Sequence, residues 1–263
     1  MYDDVSHLRD FYASPLGQLA RRIITHRVRA RWDNLSGLDV VGLGYAAPYL
    51  RAFDGEARTT AALMPYRQGA VQWPSEGPFR AALVSETALP MRDKSVDCML
   101  VVHGLEHVDA RHDYLREIWR VLMPRGRLIL VAPNRRGAWA RFESTPFGHG
   151  RPYSLRQIED LLRDALFEPV GVTPCLFAPP FRARHLPFAA TAWERVGARL
   201  WPAFAGVLIV EAVKMAYAEV RVSVKKRAFA SMPALNGLSP AHRRPGDGRK
   251  PRSPAFRGDS TGD

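Results

Sequence analysis

Three groups of residues have the types and spacing to do chemistry. The first is Gly42-Leu43-Gly44-Tyr45-Ala46-Ala47, which satisfies G-x-G-x-x-A between a short apolar run, Leu38 to Val41, and a helical pattern from Tyr45 to Phe53. Glycines at such a turn let the backbone approach a ligand, and the helix start offers N–H groups and a partial positive charge. A nicotinamide enzyme would place a carboxylate about 20 residues further on to grip the ribose diol. That region reads Thr60-Ala61-Ala62-Leu63-Met64, so an NAD-type dehydrogenase rests on the glycines alone. Plain strand-to-helix packing uses the same glycines.

The second group is His103-Gly104-Leu105-Glu106-His107, which spells H-x-x-E-H, the inverted zinc-protease order. That chemistry needs two imidazoles one helical turn apart and a third protein ligand. Gly104 follows directly on a buried strand pattern, which places His103 at a strand end, and no metal is assigned. The third group lies between Asn134 and Ser154, rich in Gly, Arg and aromatic residues. Loops at the carboxyl ends of strands are where open α/β sheets bind ligands. Arg135, His149, Arg151 and Tyr153 are the candidate substrate contacts there. Arginines facing the cleft would favour an acceptor carrying a carboxylate or phosphate. His103 and His149 are the candidate catalytic bases, a role worth roughly 10²- to 10⁴-fold for a hydroxyl acceptor.

These groups need a scaffold, and the hydrophobic periodicity supplies one. Val5, Leu8, Phe11, Tyr12 and then Leu16, Leu19, Ile23, Ile24, Val28 recur at helical spacing, with Ser14 and Pro15 as N-cap and first-turn proline of the second helix. Strand patterns follow at 38–41, 60–64, 79–84, 96–102, 127–132, 167–176 and 207–218. Helical patterns fall at 109–121, at 154–166 with Ser154 and Gln157 as a capping box, and at 188–201, where Phe188, Trp193 and Trp201 lead to Phe204 in an aromatic stripe. Strands alternating with helices through residue 166 imply an α/β fold with a mostly parallel sheet covered on both faces.

Composition agrees. The chain has 263 residues, 46% of them hydrophobic and 24% charged, enough for one sizeable core. Its longest apolar stretch, near Gly206 to Val213, is broken by Glu211 well short of the roughly 20 residues that span a bilayer. The opening Met1-Tyr2-Asp3-Asp4 has no leader character, which gives a cytoplasmic expectation. Cys98 and Cys175 are too few for a disulfide framework or thiolate metal site and are expected as buried fillers. Of the net charge of +12, a balance of +6 falls in residues 219–263, where Arg and Lys occur among Pro, Gly and Ser. Such a segment buries too little to offset its ordering entropy. It is expected to be a disordered basic tail, either a solubilising extension or a contact for nucleic acid or an anionic membrane.

The segment Glu86-Thr87-Ala88-Leu89-Pro90-Met91-Arg92-Asp93-Lys94-Ser95-Val96-Asp97, the run to Val102, His103-Gly104-Leu105-Glu106-His107-Val108, and Arg120-Val121-Leu122-Met123-Pro124-Arg125-Gly126-Arg127-Leu128 together resemble the class I S-adenosylmethionine-dependent methyltransferases. The resemblance implies a Rossmann-like, mostly parallel seven-stranded sheet with helices on both faces and the last strand antiparallel. It divides the chain into a helical cap (1–34), a methyltransferase-like domain (35–218, with a substrate-side loop at 135–153) and the tail (219–263). It implies S-adenosylmethionine as cofactor, held by Gly42, Gly44, Tyr45, Ala46, Glu86, Thr87, His103 and Gly104, and a small-molecule acceptor. The departures are specific: Val40 stands where the family has an acid, with Asp39 one position off, and the second strand lacks the ribose carboxylate. A hydrogen bond to a charged group is worth about 1.5–3 kcal/mol, so this loss weakens cofactor binding by roughly one to two decades. A methyltransferase-like binding protein without turnover is the alternative.

Overall fold

The computed structural model describes residues 4–180 and 187–215; the basic tail lies outside them, as does the side chain of Phe188. Helix α1 (Val5–Ala13) starts where the Asp4 carboxylate accepts the Ser6 N–H, and α2 (Pro15–Arg29) where the Ser14 hydroxyl accepts the Gly17 N–H. Strands β1 (Asp39–Gly44), β2 (Thr59–Pro65), β3 (Ala81–Val84), β4 (Val96–Val102), β5 (Leu122–Pro133), β6 (Phe167–Cys175) and β7 (Val207–Lys214) form one sheet in the order β3-β2-β1-β4-β5-β7-β6. The first five pair in parallel, and β7 runs antiparallel to both β5 and β6.

Successive strand residues point to opposite faces, and β4 shows what each face meets. Cys98, Leu100 and Val102 join the core with Leu8, Tyr12, Ile24 and Trp32 beneath α1 and α2. Met99 and Val101 join the other, with Tyr114, Leu115 and Ile118 of α4 (Arg111–Val121) and Ile158 and Leu162 of α5 (Leu155–Asp164). The predicted capping box of α5 is present in both directions. Helix α6 (Pro187–Leu200) precedes β7, and Trp193 lies 6.1 Å from Trp201. Both cysteines are buried and unpaired by disulfide, with burial pushing the Cys98 thiol up to about 12. Among the described residues no helix is long and apolar enough to cross a membrane.

Two elements differ from expectation. The helix expected from Tyr45 to Phe53 is only α3 (Ala47–Leu50); Ala52 and Phe53 bond back three residues, and Gly55, at φ 85°, turns the chain so that Phe53 packs 5.9 Å from Trp32. Strand β5 begins at Leu122 rather than Arg127, because Leu122 pairs with Val96 across an irregularity in the ladder.

Strand order reverses at β1, with β2 and β3 on one side and β4 and β5 on the other. Ligand crevices of open α/β sheets form outside the carboxyl ends of the strands at such a switch point, which here lies above Gly44 and Val102.

Candidate functional site

The two glycines of the β1 turn draw backbone to backbone. Gly44 sits at φ 83°, and a Cβ there would overlap the Val102 carbonyl oxygen; the next N–H, of Tyr45, donates to that oxygen at 2.8 Å. A Cβ on Gly42 would come within 2.6 Å of the Ala46 Cβ and 2.8 Å of Leu50 Cδ1. The glycines therefore close β1 onto β4 and seat α3 on β1.

Over this turn lies Tyr12 of α1. Its ring stacks on Tyr45 at 5.6 Å and 19°, and its hydroxyl accepts from Tyr49 at 2.7 Å and lies 2.8 Å from His103 Nε2. His103 Nδ1 is 3.2 Å from Glu106 Oε1. Gln68 donates its side-chain amide to the His103 carbonyl at 3.1 Å, and Phe147 covers the imidazole at 4.8 Å. His103 is fully buried and Glu106, His107, Tyr12 and Gln68 nearly so. Burial pulls the Glu106 carboxyl up, while the His103 hydrogen bond and the adjacent His107 and His103 rings pull it down further, leaving it below the ordinary carboxylate value. Burial holds the Tyr12 phenol well above its ordinary value and pushes Tyr45 up to about 12, so both stay protonated at neutral pH.

Three cavities border this knot. One of about 260 Å³ opens at the carboxyl ends of β2 and β3 and the turn after β4, lined by Tyr66, Arg67, Glu86, Thr87 and His107 among others. A second, about 430 Å³, is lined by Tyr12, Tyr45, Arg9, Arg51 and Trp73. The third, about 740 Å³, lies between α1 and the loop after β5, lined by His7, Asp10, Phe11, Glu143 and His149.

Residues 38–130 match the family model described as a methyltransferase domain. Within this range lie the strand-order switch at β1, the glycine turn and Glu86, just past the carboxyl end of β3. Over these residues the chain is similar to methyltransferases. A 44-residue stretch is 46% identical to the ubiquinone/menaquinone biosynthesis C-methyltransferase UbiE of Hahella chejuensis, covering 17% of this chain and only 18% of that protein. Among solved structures, a possible histamine N-methyltransferase from Thermotoga maritima superposes with TM-score 0.55 at 18% identity, over 81% of this chain and 96% of that one. A methyltransferase from Archaeoglobus fulgidus gives 0.54 at 14% identity, over 74% and 94%. At these identities the two structures establish the fold.

The residues expected at the site fall into five places. Gly42, Gly44, Tyr45, Ala46, His103 and Gly104 gather at the switch point and are buried; Tyr12, Gln68 and Phe147 contact His103, and Tyr45, stacked on Tyr12, lines the 430 Å³ cavity. Glu86, 9% exposed, and Thr87 line the 260 Å³ cavity, and His149 lines the 740 Å³ cavity, its Nε2 2.8 Å from the Glu143 carbonyl. Arg135, Arg136 and Arg151 face solvent rather than that cavity, which removes the basis for an anionic acceptor at the loop. Tyr153 is 2% exposed and donates to the Leu105 carbonyl at 3.1 Å, so it packs in the core instead of meeting substrate.

The residues present fit S-adenosylmethionine at its nucleoside end: the 260 Å³ cavity presents the buried Glu86 carboxylate, an acceptor for polar hydrogens, beside the Tyr66 ring. Toward the methionine end, Tyr12 covers the glycine turn, and β2 closes on Met64 and Pro65 with no carboxylate. Tyr12, Tyr49 and Gln68 were not singled out from sequence. A tyrosine on the apolar stripe of a helix is the available signal, because a buried phenol seeks a polar partner.

Proposed function

We propose that this chain is an S-adenosylmethionine-dependent methyltransferase acting on a small acceptor. One observation carries the reading: Glu86, within the matched range 38–130, lines a cavity at the carboxyl edge of β2 and β3 beside the strand-order switch. Bound S-adenosylmethionine supplies an electrophilic methyl group. Glu86, Thr87 and Tyr66 are the residues that hold its nucleoside, and the loop 142–149 with α1 encloses the acceptor. Around Phe11 and Leu16, the acceptor cavity offers the carboxylates of Asp10 and Glu143. That lining suits an apolar body with hydrogen-bond-donating or cationic groups. Holding such a body in line with the donor is the main contribution a protein makes to this kind of displacement.

His149 lines the acceptor cavity and is the base candidate there; His103 is not among its lining residues. Tyr12, lying over the glycine turn, favours a second reading, a binding protein that retains the nucleoside site without turnover. Calorimetric titration of S-adenosylmethionine and S-adenosylhomocysteine into the full-length protein, with NAD as control, tests the first reading. Micromolar binding of the first two supports it, and their failure to bind at millimolar concentration refutes it. Binding without product from any acceptor that fits the 740 Å³ cavity supports the second.

A further inference from the structure

The residues after β4 fold into a turn at once. His103 takes a left-handed φ of 49°, uncommon for a residue with a side chain and sustained only by its surroundings. Four residues on, the His107 N–H donates to the Gly104 carbonyl at 3.0 Å. The turn does what a helix would do in an H-x-x-E-H segment, bringing one ligand atom each of His103, Glu106 and His107 within 4.8 Å of one another. All three side chains are buried, at 0%, 3% and 4% exposure. The second carboxylate oxygen of Glu106 is buried with no hydrogen-bond partner. A buried carboxylate oxygen is retained at a cost unless a donor or a cation reaches it.

We propose that His103, Glu106 and His107 form a divalent-metal site of two imidazoles and one carboxylate, suited to a borderline ion such as Zn²⁺. Two nitrogens and one oxygen are the donor set that such an ion takes. With metal–ligand bonds of about 2.1 Å, tetrahedral ligands lie about 3.4 Å apart. The 3.2 Å between His103 Nδ1 and Glu106 Oε1 already matches this, and a ligand atom of His107 lies within 4.8 Å of both. That side chain lines the 260 Å³ cavity, which gives an ion its way in.

The outer contacts are also those of a metal-bound imidazole. When His103 ligates through Nδ1, its Nε2–H faces the Tyr12 oxygen 2.8 Å away. The same oxygen accepts the Tyr49 O–H at 2.7 Å. Such a partner fixes the tautomer and the ring orientation. The competing arrangement is a closed one, in which His103 satisfies Glu106 and no ion enters.

The test uses full-length protein freed of metal by a chelator, titrated with Zn²⁺ by calorimetry and with Co²⁺ by visible absorption, and S-adenosylhomocysteine binding is measured on the same samples. The expected result is one ion per chain with micromolar or tighter affinity, a tetrahedral Co²⁺ spectrum and a raised melting temperature. Binding is expected to vanish in Glu106→Gln and His107→Ala, to weaken about tenfold in Tyr12→Phe, and to persist in His112→Ala. No saturable binding by the wild-type protein at millimolar metal overturns the proposal and needs no variant to fold. Unchanged binding in a folded His107→Ala overturns it equally. Because the cofactor titration is read separately, loss of one conclusion leaves the other standing.

Discussion

Replacing Gly44 by Ala separates two roles that a glycine turn can play. In this fold the residue is at φ 83° and its missing Cβ faces the Val102 carbonyl oxygen. Forcing an alanine into a left-handed conformation costs about 1–2 kcal/mol. Moving a central strand to admit a methyl group adds about 1–3 kcal/mol. The variant is therefore expected to lose about 2–5 kcal/mol of stability with no ligand present, out of the 5–15 kcal/mol typical of a domain. For a chain of this size that is a melting temperature lower by roughly 5–20 °C. Urea unfolding of both proteins without ligand, followed by circular dichroism, measures it. A variant within about 0.5 kcal/mol of wild type that had nonetheless lost S-adenosylhomocysteine binding would refute the packing argument, since the glycine would then serve the ligand alone.

Glu86→Ala removes the buried carboxylate of the 260 Å³ cavity, and loss of a charged hydrogen bond worth about 1.5–3 kcal/mol weakens S-adenosylhomocysteine about 10- to 100-fold by calorimetry; an unchanged affinity places the nucleoside elsewhere. Glu211 of β7 receives Arg31 at 3.1 Å and Arg127 at 2.8 Å, so Glu211→Ala strands two largely enclosed guanidiniums and is expected to cost about 3 kcal/mol in urea unfolding. A cost below about 1 kcal/mol would mean that solvent screens the cluster. Burial holds the Glu194 carboxyl above its ordinary value, against the pull of the Phe177 and Leu176 N–H groups. The folded protein thus binds this proton more tightly than the unfolded chain, a stabilisation complete below the unfolded value and lost as pH rises through the folded one. Glu194→Gln should gain on wild type as pH rises from about 4 to about 7, read from paired urea midpoints; a difference that is flat or falls with pH contradicts the assignment.

Local signals in the sequence reached most of the scaffold. Ser14-Pro15 and the Ser154/Gln157 box fixed two helix starts because capping involves only neighbouring residues. The Val96–Val102 run was legible because a strand buried on both faces must be apolar throughout. The helix expected after Gly44 shrank to Ala47–Leu50 because Phe53 is drawn to Trp32, a contact that no local pattern announces. Glu86, read through the family resemblance, and His149, read from the loop after β5, each line a cavity. Tyr153 read as a loop aromatic, yet it fills the core beside Leu105, since the polarity of its loop says nothing about which way a ring turns.

By itself, the amino-acid sequence determined the α/β alternation, the motifs from about Leu38 to Asn134 that resemble methyltransferases and the glycine turn, because periodicity, capping and short motifs are properties of residues close in the chain. The tertiary structure alone decided that α1 would lay Tyr12 over that turn and tie it to His103, 91 positions away. It also decided that the H-x-x-E-H segment would close into a turn that gathers its three polar side chains. The reason is physical: burial of α1's apolar face against the sheet fixes where its one buried phenol must find a partner, and that packing is settled by the whole core.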